Sequence, residues 1–200
     1  YQSRRDSTRK MNDNIVAQNQ LGNKLVEKYD MEVIHNPRDE ITIDNLRPGE
    51  NQAIEDYIEE RGLNPRAKPD YIFYHRGEMK LVDAYDPRPR SRGEHIATEV
   101  TNKVFGKGQA DHILINMAEN ISSNLNHSSY MMRVRKIKFQ LKDINKAIID
   151  KVAENKSKPR KLREVYANIG TLDDPVIVEV YPNYNMDLVE LSLRQSKRLK

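Results

Sequence analysis

The first chemistry this sequence offers lies in the stretch KPDYIFYHRGEMKLVDAYDP, which holds Asp70 and Asp83. From Met79 to Tyr85 the residues alternate. Met79, Leu81, Asp83 and Tyr85 fall on one face of a strand, and Lys80, Val82 and Ala84 on the other. Asp83 therefore shares its face with bulky neighbours, and a carboxylate on a half-buried strand is costly unless it pairs with or coordinates a cation. Tyr71 to Tyr74 form a preceding strand-like run, broken at His75-Arg76-Gly77. Asp70 opens that run just after Pro69, so a hairpin brings it near Asp83. Two carboxylates brought together suit a hard divalent cation, because Mg²⁺ takes oxygen ligands and retains several waters.

The elements that must position this pair follow from periodicity. Residues 12–29 read as a helix, with Ala17, Leu21, Leu25 and Tyr29 at four-residue steps down one face. MEVIHNP gives a short strand stopped by Asn36-Pro37. Polar sequence surrounds a second helix, GENQAIEDYIEERG, and residues 38–66 have the look of an insertion in the surface of the fold. After the hairpin comes the loop DPRPRSRG, then a helix from about Glu94 to Val104 whose apolar stripe is Ile96, Val100 and Val104. ADHILINMA reads as a strand buried on both faces. A further helix is expected around 143–155, from Ile144, Ile148 and Val152. REVYANI and PVIVEVYP are late strands separated by the turn GTLDDP. The order predicts an α/β fold with a mixed central sheet flanked by helices. One domain over residues 1–200 is expected, with 1–11 a flexible basic lead-in and 186–200 a basic tail.

Composition bounds the function without fixing it. The chain has 200 residues, of which 32% are charged, yet its net charge is only +4. Distribution therefore matters more than the sum. Arg and Lys cluster in YQSRRDSTRK at the start, RPRSR at 88–92, KSKPRKLR at 156–163 and RQSKRLK at the end. Such clusters are usually a solvated face, but they also suit a phosphate backbone. There is no cysteine, which excludes a disulfide framework and thiolate metal sites. No apolar run approaches membrane-spanning length, and no signal peptide is visible. The chain opens at Tyr1, which reads as a domain excised from a longer protein.

Asp70 and Asp83 resemble the two acids of the PD-(D/E)xK nuclease core, with Pro69-Asp70 intact. The wider order of motifs resembles one family, the tRNA-nuclease toxin domain at the C-terminus of contact-dependent growth inhibition effectors. The resemblance runs through Asn19, Leu25, Tyr29, Val33 and Asn36-Pro37, then Pro69-Asp70-Tyr71 and Asp83-Ala84-Tyr85 with Pro87. It continues through Glu99-Val100, Lys103-Val104, Gly108-Gln109-Ala110-Asp111 and Ile113-Leu114-Ile115-Asn116, and closes on LREVYANI and VIVEVYP. Residues 38–66 and 119–160 lie outside it. It implies a PD-(D/E)xK fold and tRNA cleavage dependent on Mg²⁺ or Mn²⁺, with Asp70 and Asp83 as metal ligands and Lys103 as the helix-borne lysine. It also implies a cognate immunity protein, and delivery as the C-terminal part of a larger secreted or cell-surface effector into the cytoplasm of neighbouring bacteria.

Two features depart from that pattern. Tyr85 occupies the place of a lysine two residues past the second acid, which is why Lys103 is the candidate; its plain alternative is an i−4 pair with Glu99. Gln18 stands where the family carries a Glu, so either Gln18 positions a metal-bound water or Glu50 or Glu55 substitutes. The long Asp70–Asp83 spacing predicts a long hairpin turn. Arg88, Arg90 and Arg92 follow the acidic strand directly and are candidates for phosphate-backbone contacts. His75 is expected exposed, and His95 and His112 structural. A restriction-like DNase with the same site, and a non-catalytic nucleic-acid-binding module with Asp83 salt-bridged to an Arg, are the competing readings.

Overall fold

The computed structural model describes the backbone of residues 2–124 and 129–196, and side chains within 14–122 and 129–196. The basic cluster at 1–10, for its side chains, and the last four residues of the C-terminal cluster lie outside that range. The elements are α1 (Gln2–Tyr29), β1 (Glu32–His35), α2 (Glu40–Asp44), α3 (Glu50–Glu60), β2 (Tyr71–His75), β3 (Glu78–Tyr85) and α4 (Gly93–Thr101). After a π-helical turn at Asn102–Gly106 follow β4 (His112–Asn116), α5 (Ala118–Asn124), α6 (Tyr130–Glu154), β5 (Glu164–Asn168), β6 (Ile177–Tyr181) and α7 (Met186–Arg194).

The six strands form one mixed sheet in sequence order. β1, β2 and β3 are antiparallel neighbours, β3–β4 and β4–β5 are parallel, and β5–β6 is antiparallel. The α/β class with a mixed sheet flanked by helices is thus as expected. The parallel joints need crossovers, and these are α4 between β3 and β4, then α5 and α6 between β4 and β5.

Alternation decides which helix covers which face. One face carries Ile72 and Leu81, packed under Ile54, Tyr57 and Ile58 of α3, and beside them Ile113 and Val165, packed under α4 and α6. The other face carries Tyr71, Phe73, Val82 and Leu114, packed under Leu21 and Leu25 of α1. Gly22 permits this close approach: a Cβ there would stand 2.2 Å from His35 Nε2 and 3.2 Å from the Tyr71 ring.

Several boundaries differ from expectation. Segment 38–66 is no surface decoration, since α3 buries Ile54 completely and closes the β2–β3 face. α6 begins at Tyr130, well before residue 143, because Val134, Ile137 and Leu141 extend the same apolar stripe. Within the expected basic tail, Met186–Arg194 is an amphipathic helix that buries Val189 and Leu193. α1 likewise runs back through the lead-in to Gln2. No helix among the described residues is long and apolar enough to cross a membrane.

Candidate functional site

The hairpin turn is short, not long. Arg76 and Gly77 take left-handed φ values of 52° and 77°, the pattern of a two-residue turn whose twist matches the strands. The extra spacing is absorbed by strand length. Tyr71 pairs with Val82 in the antiparallel register, so one step further Asp70 stands opposite Asp83 on the same sheet face as Ile72 and Leu81. Asp83 is buried at 5% exposure, while Asp70 is half-buried.

Their carboxyls are close enough to act on each other, and the Asp70 Oδ2 accepts from the Ala84 amide at 2.8 Å. Desolvation first, then the charge and hydrogen bond of Asp83, push the Asp70 carboxyl up to about 7. Lys103 and the Ala84 amide act the other way. The pair thus holds one proton more readily than two isolated carboxylates would.

Lys103 closes the group. Its Nζ lies 2.9 Å from Asp83 Oδ2, with the lysine side chain 22% and the aspartate side chain 7% exposed. Asp83, not Glu99, is its partner. α4 and the π-helical turn after it present Ile96, Val100 and Val104 to the face that carries Ile113, the register neighbour of Asp83. Lys103 sits in the π-helical turn beside that stripe and so reaches over the strand.

Asp86, which sequence reasoning did not single out, lies at the C-terminal end of β3. Partial desolvation raises its carboxyl above the ordinary range, although water still reaches much of its surface. Asn116 hydrogen-bonds it and Lys103 attracts it, while Glu119 repels it. Asn116 in turn accepts from Asn168, a fully buried amide at the end of β5. The strand-end position after an acidic motif was the available signal.

Gln18 is tied in through its main chain, its carbonyl accepting from the Tyr71 hydroxyl at 2.7 Å. Burial, then Asp70 and Asp86, raise that hydroxyl's pKa, so it lies within their field. α1 packs on the sheet face opposite Asp83, and Gln18 is one turn upstream of Leu21, at the Asp70 end of β2. Glu50 and Glu55 are turned elsewhere: Glu50 accepts from Tyr74 and the Arg47 amide, and Glu55 pairs with Arg38 at 3.7 Å. Arg88, Arg90 and Arg92 are all exposed on the loop after β3, with Arg90 held at φ 69°. His75 and His95 are exposed, and His112 is buried.

A second polar cluster lies at the other end of β4. Asp111, 1% exposed, accepts from Tyr57 at 2.6 Å and contacts His112 Nδ1 at 2.9 Å. Arg61 and Arg163 lie 3.0 and 3.1 Å from its Oδ2. Arg61 Nε and that oxygen nevertheless lack a well-directed hydrogen bond, so we treat the contact as electrostatic. His112 Nε2 continues to Glu164, which Lys80 clamps at 2.7 Å. Every strong partner here is another protein side chain, which makes it a structural lock that joins α3 to three strands.

The two-aspartate pair supplies hard oxygen donors, and it holds one ammonium against two acids. That donor set fits a Mg²⁺ or Mn²⁺ ion that retains waters and takes its remaining ligands from a phosphate. It does not fit a caged site, since among the described residues no three His, Cys, Asp or Glu side chains converge to hold a metal. No protein-family model, no curated protein and no solved structure matches the chain.

Proposed function

We propose that the chain is a metal-dependent nuclease toxin domain with a PD-(D/E)xK core, cleaving tRNA. The observation that carries this reading is the opposed Asp70–Asp83 pair with the Lys103 ammonium 2.9 Å from Asp83. A hairpin bearing both acids and a following helical segment bearing the lysine is the arrangement that the sequence resemblance implies. A divalent cation, when bound, polarises the phosphoryl oxygen and lowers the pKa of its water. Asp70 and Asp83 would hold it, and the raised Asp70 carboxyl would bind it in the ionised form. Lys103, released from Asp83, places a positive charge beside the scissile phosphate. Arg88, Arg90 and Arg92 take the neighbouring phosphates and set the register of the strand.

Such an activity needs an inhibitor in the cell that makes it. We therefore include a cognate immunity protein with an acidic face for the arginine loop, and delivery of the domain within a larger effector into a target cell's cytoplasm. A second reading is favoured by the Asp83–Lys103 pair itself, since a binding module without catalysis would also neutralise a buried acid in this way. The deciding experiment incubates total RNA and plasmid DNA side by side with the protein in Mg²⁺, Mn²⁺ or EDTA. Metal-dependent loss of tRNA supports the proposal. Cutting of plasmid alone makes the protein a DNase, and cutting of neither leaves the binding module.

A further inference from the structure

α6 carries seven basic and three acidic side chains and has no role in the site described above. Its inner stripe is Val134, Ile137, Leu141, Ile144 and Ile148. At 100° per residue Phe139 lies about 180° from the centre of that stripe, and it is 44% exposed. A phenyl ring on the solvent side of the helix adds nothing to the core. Arg135 and Lys142, one turn to either side, lie 5.6 and 5.8 Å from its centroid. Lys138 and Lys151 of the same helix pair with Glu190 and Glu154, whereas no acid pairs with Arg135 or Lys142 among the described residues.

Position links this face to the nuclease reading. Gln140 donates to Asn120 at 2.6 Å, and Asn120 donates to the Arg88 carbonyl at 2.9 Å. The N-terminal half of α6 is thereby fastened to the arginine loop that follows Asp83 and Asp86. The C-terminal half is different, because around a groove there Glu94, Asp143, Asp150 and Glu154 outnumber Lys146 and Lys151. The first half therefore suits a polyanion better than the second.

We infer that the Arg135–Phe139–Lys142 face docks an unpaired stretch of the nucleic-acid substrate, one base stacking on Phe139 with flanking phosphates on the two cations. The inference rests on the nuclease reading for its substrate and adds where that substrate is gripped. Stacking on an exposed ring tolerates any base, and cations beside the ring follow the backbone. A duplex keeps its base faces covered, so the face selects loops and single strands.

Fluorescence anisotropy in EDTA reads binding without cleavage, using a short labelled unpaired oligoribonucleotide and a fully paired duplex of equal charge. Phe139→Ala should weaken binding of the unpaired oligonucleotide about fivefold or more and leave the duplex unchanged. Phe139→Trp should hold or tighten it. Arg135→Gln and Lys142→Gln should each lower the salt dependence by about one counterion. Unchanged oligonucleotide affinity in Phe139→Ala overturns the inference, as does an equal loss for the duplex. So does a variant that instead loses binding to phosphatidylserine vesicles or self-association. A parent protein that binds through Phe139 yet cuts no nucleic acid with Mg²⁺ or Mn²⁺ refutes the nuclease reading alone. One that cuts but ignores Phe139 refutes the docking face alone.

Discussion

The Lys103 ammonium lies 2.9 Å from Asp83 Oδ2 across a sequence separation of 20 residues, while burial and the Asp83 charge push the neighbouring Asp70 carboxyl up to about 7. Two acids and one base in a desolvated corner cannot all be charged without repulsion. Lys103 satisfies Asp83, and Asp70 becomes easier to protonate. A divalent cation held by the two acids would have to compete with both a proton on Asp70 and the Lys103 ammonium.

Asp83→Asn tests the first element of that competition. The amide keeps the shape of the side chain and removes its charge. Metal-dependent cleavage should disappear, while the melting temperature falls modestly: the repulsion with Asp70 is relieved, but the Lys103 ammonium, 22% exposed, loses its partner. The Asp70 carboxyl should titrate closer to the ordinary range, since the charge and hydrogen bond of Asp83 contribute to its shift. Carbon-detected NMR of the aspartate carboxyls follows this directly. A variant that cuts like the parent removes Asp83 from the chemistry.

Lys103→Met separates catalysis from metal affinity. The ammonium competes with a cation for Asp83, so its removal should leave Mn²⁺ affinity unchanged or tighter by calorimetry. Cleavage should fall about 100-fold or more, since charge at the phosphate loses its stabiliser. Lys103→Arg should rescue poorly, because a planar fork does not reproduce a compact charge. Weaker binding of RNA with an unchanged maximal rate would make Lys103 a backbone contact only.

Stability against pH checks the raised Asp70 carboxyl in the metal-free protein. The folded carboxyl of Asp70 sits near 7, above its unfolded value of 3.8, so the folded state binds more protons between the two. Its contribution is therefore most favourable below the unfolded pKa and is lost as pH rises toward 7. Glu164, lowered to about 2 and led in its lowering by Lys80, changes in the opposite sense, with stability lost as pH falls. The parent must be compared with Asp70→Asn to separate them. Urea denaturation should show the parent losing ground to the variant from pH 4 to 7, and a constant difference would mean that Asp70 does not titrate in that window.

Much of this arrangement was legible in the sequence, for physical reasons that differ by element. Alternation put Asp83 on the Leu81 face, and helical spacing put Lys103, seven residues after Ile96 and next to Val104, at the border of the apolar stripe; both periodicities are local. Asp83 as the partner of Lys103 required the parallel β3–β4 pairing, a long-range fact that no local pattern carries. The hairpin's turn was misjudged because spacing alone cannot divide residues between turn and strand. α7 went unseen because the basic run RQSKRLK that overlaps its end marks the segment as a tail, although Val189 and Leu193 form its buried stripe. The Asp111 cluster was hidden too: Tyr57 with Arg61, then His112, then Arg163 come from three separate parts of the chain.

That cluster gives a prediction of stability alone. Asp111→Ala leaves Arg61 and Arg163 beside an emptied, buried site and removes the acceptor of the Tyr57 hydroxyl. Both guanidiniums retain some access to water, 27% and 50% of their side chains, which limits the loss. Unfolding free energy should drop by about 3 kcal/mol. The Mn²⁺ concentration for half-maximal cleavage should stay unchanged in the folded fraction. A shift in that concentration would mean that the two ends of β4 are coupled.

Gln18 is the residue on which the proposed site is most exposed. Its carbonyl is fixed by the Tyr71 hydroxyl, one residue from Asp70, while α1 itself packs on the opposite face of the sheet. A side chain in that place reaches a cation held by Asp70 only around the end of the strand. If it does so, Gln18→Glu adds an anionic oxygen and should lower the Mg²⁺ or Mn²⁺ concentration for half-maximal cleavage, and Gln18→Ala should raise it. Tyr71→Phe frees the carbonyl and leaves the amide side chain, so it should raise the requirement modestly if α1 must be held in place. Identical metal titrations for Gln18→Glu, Gln18→Ala and the parent would put Gln18 outside the site. Glu50 and Glu55, engaged with Tyr74 and Arg38, are poor replacements, and Asp86 would then be the carboxylate to mutate next.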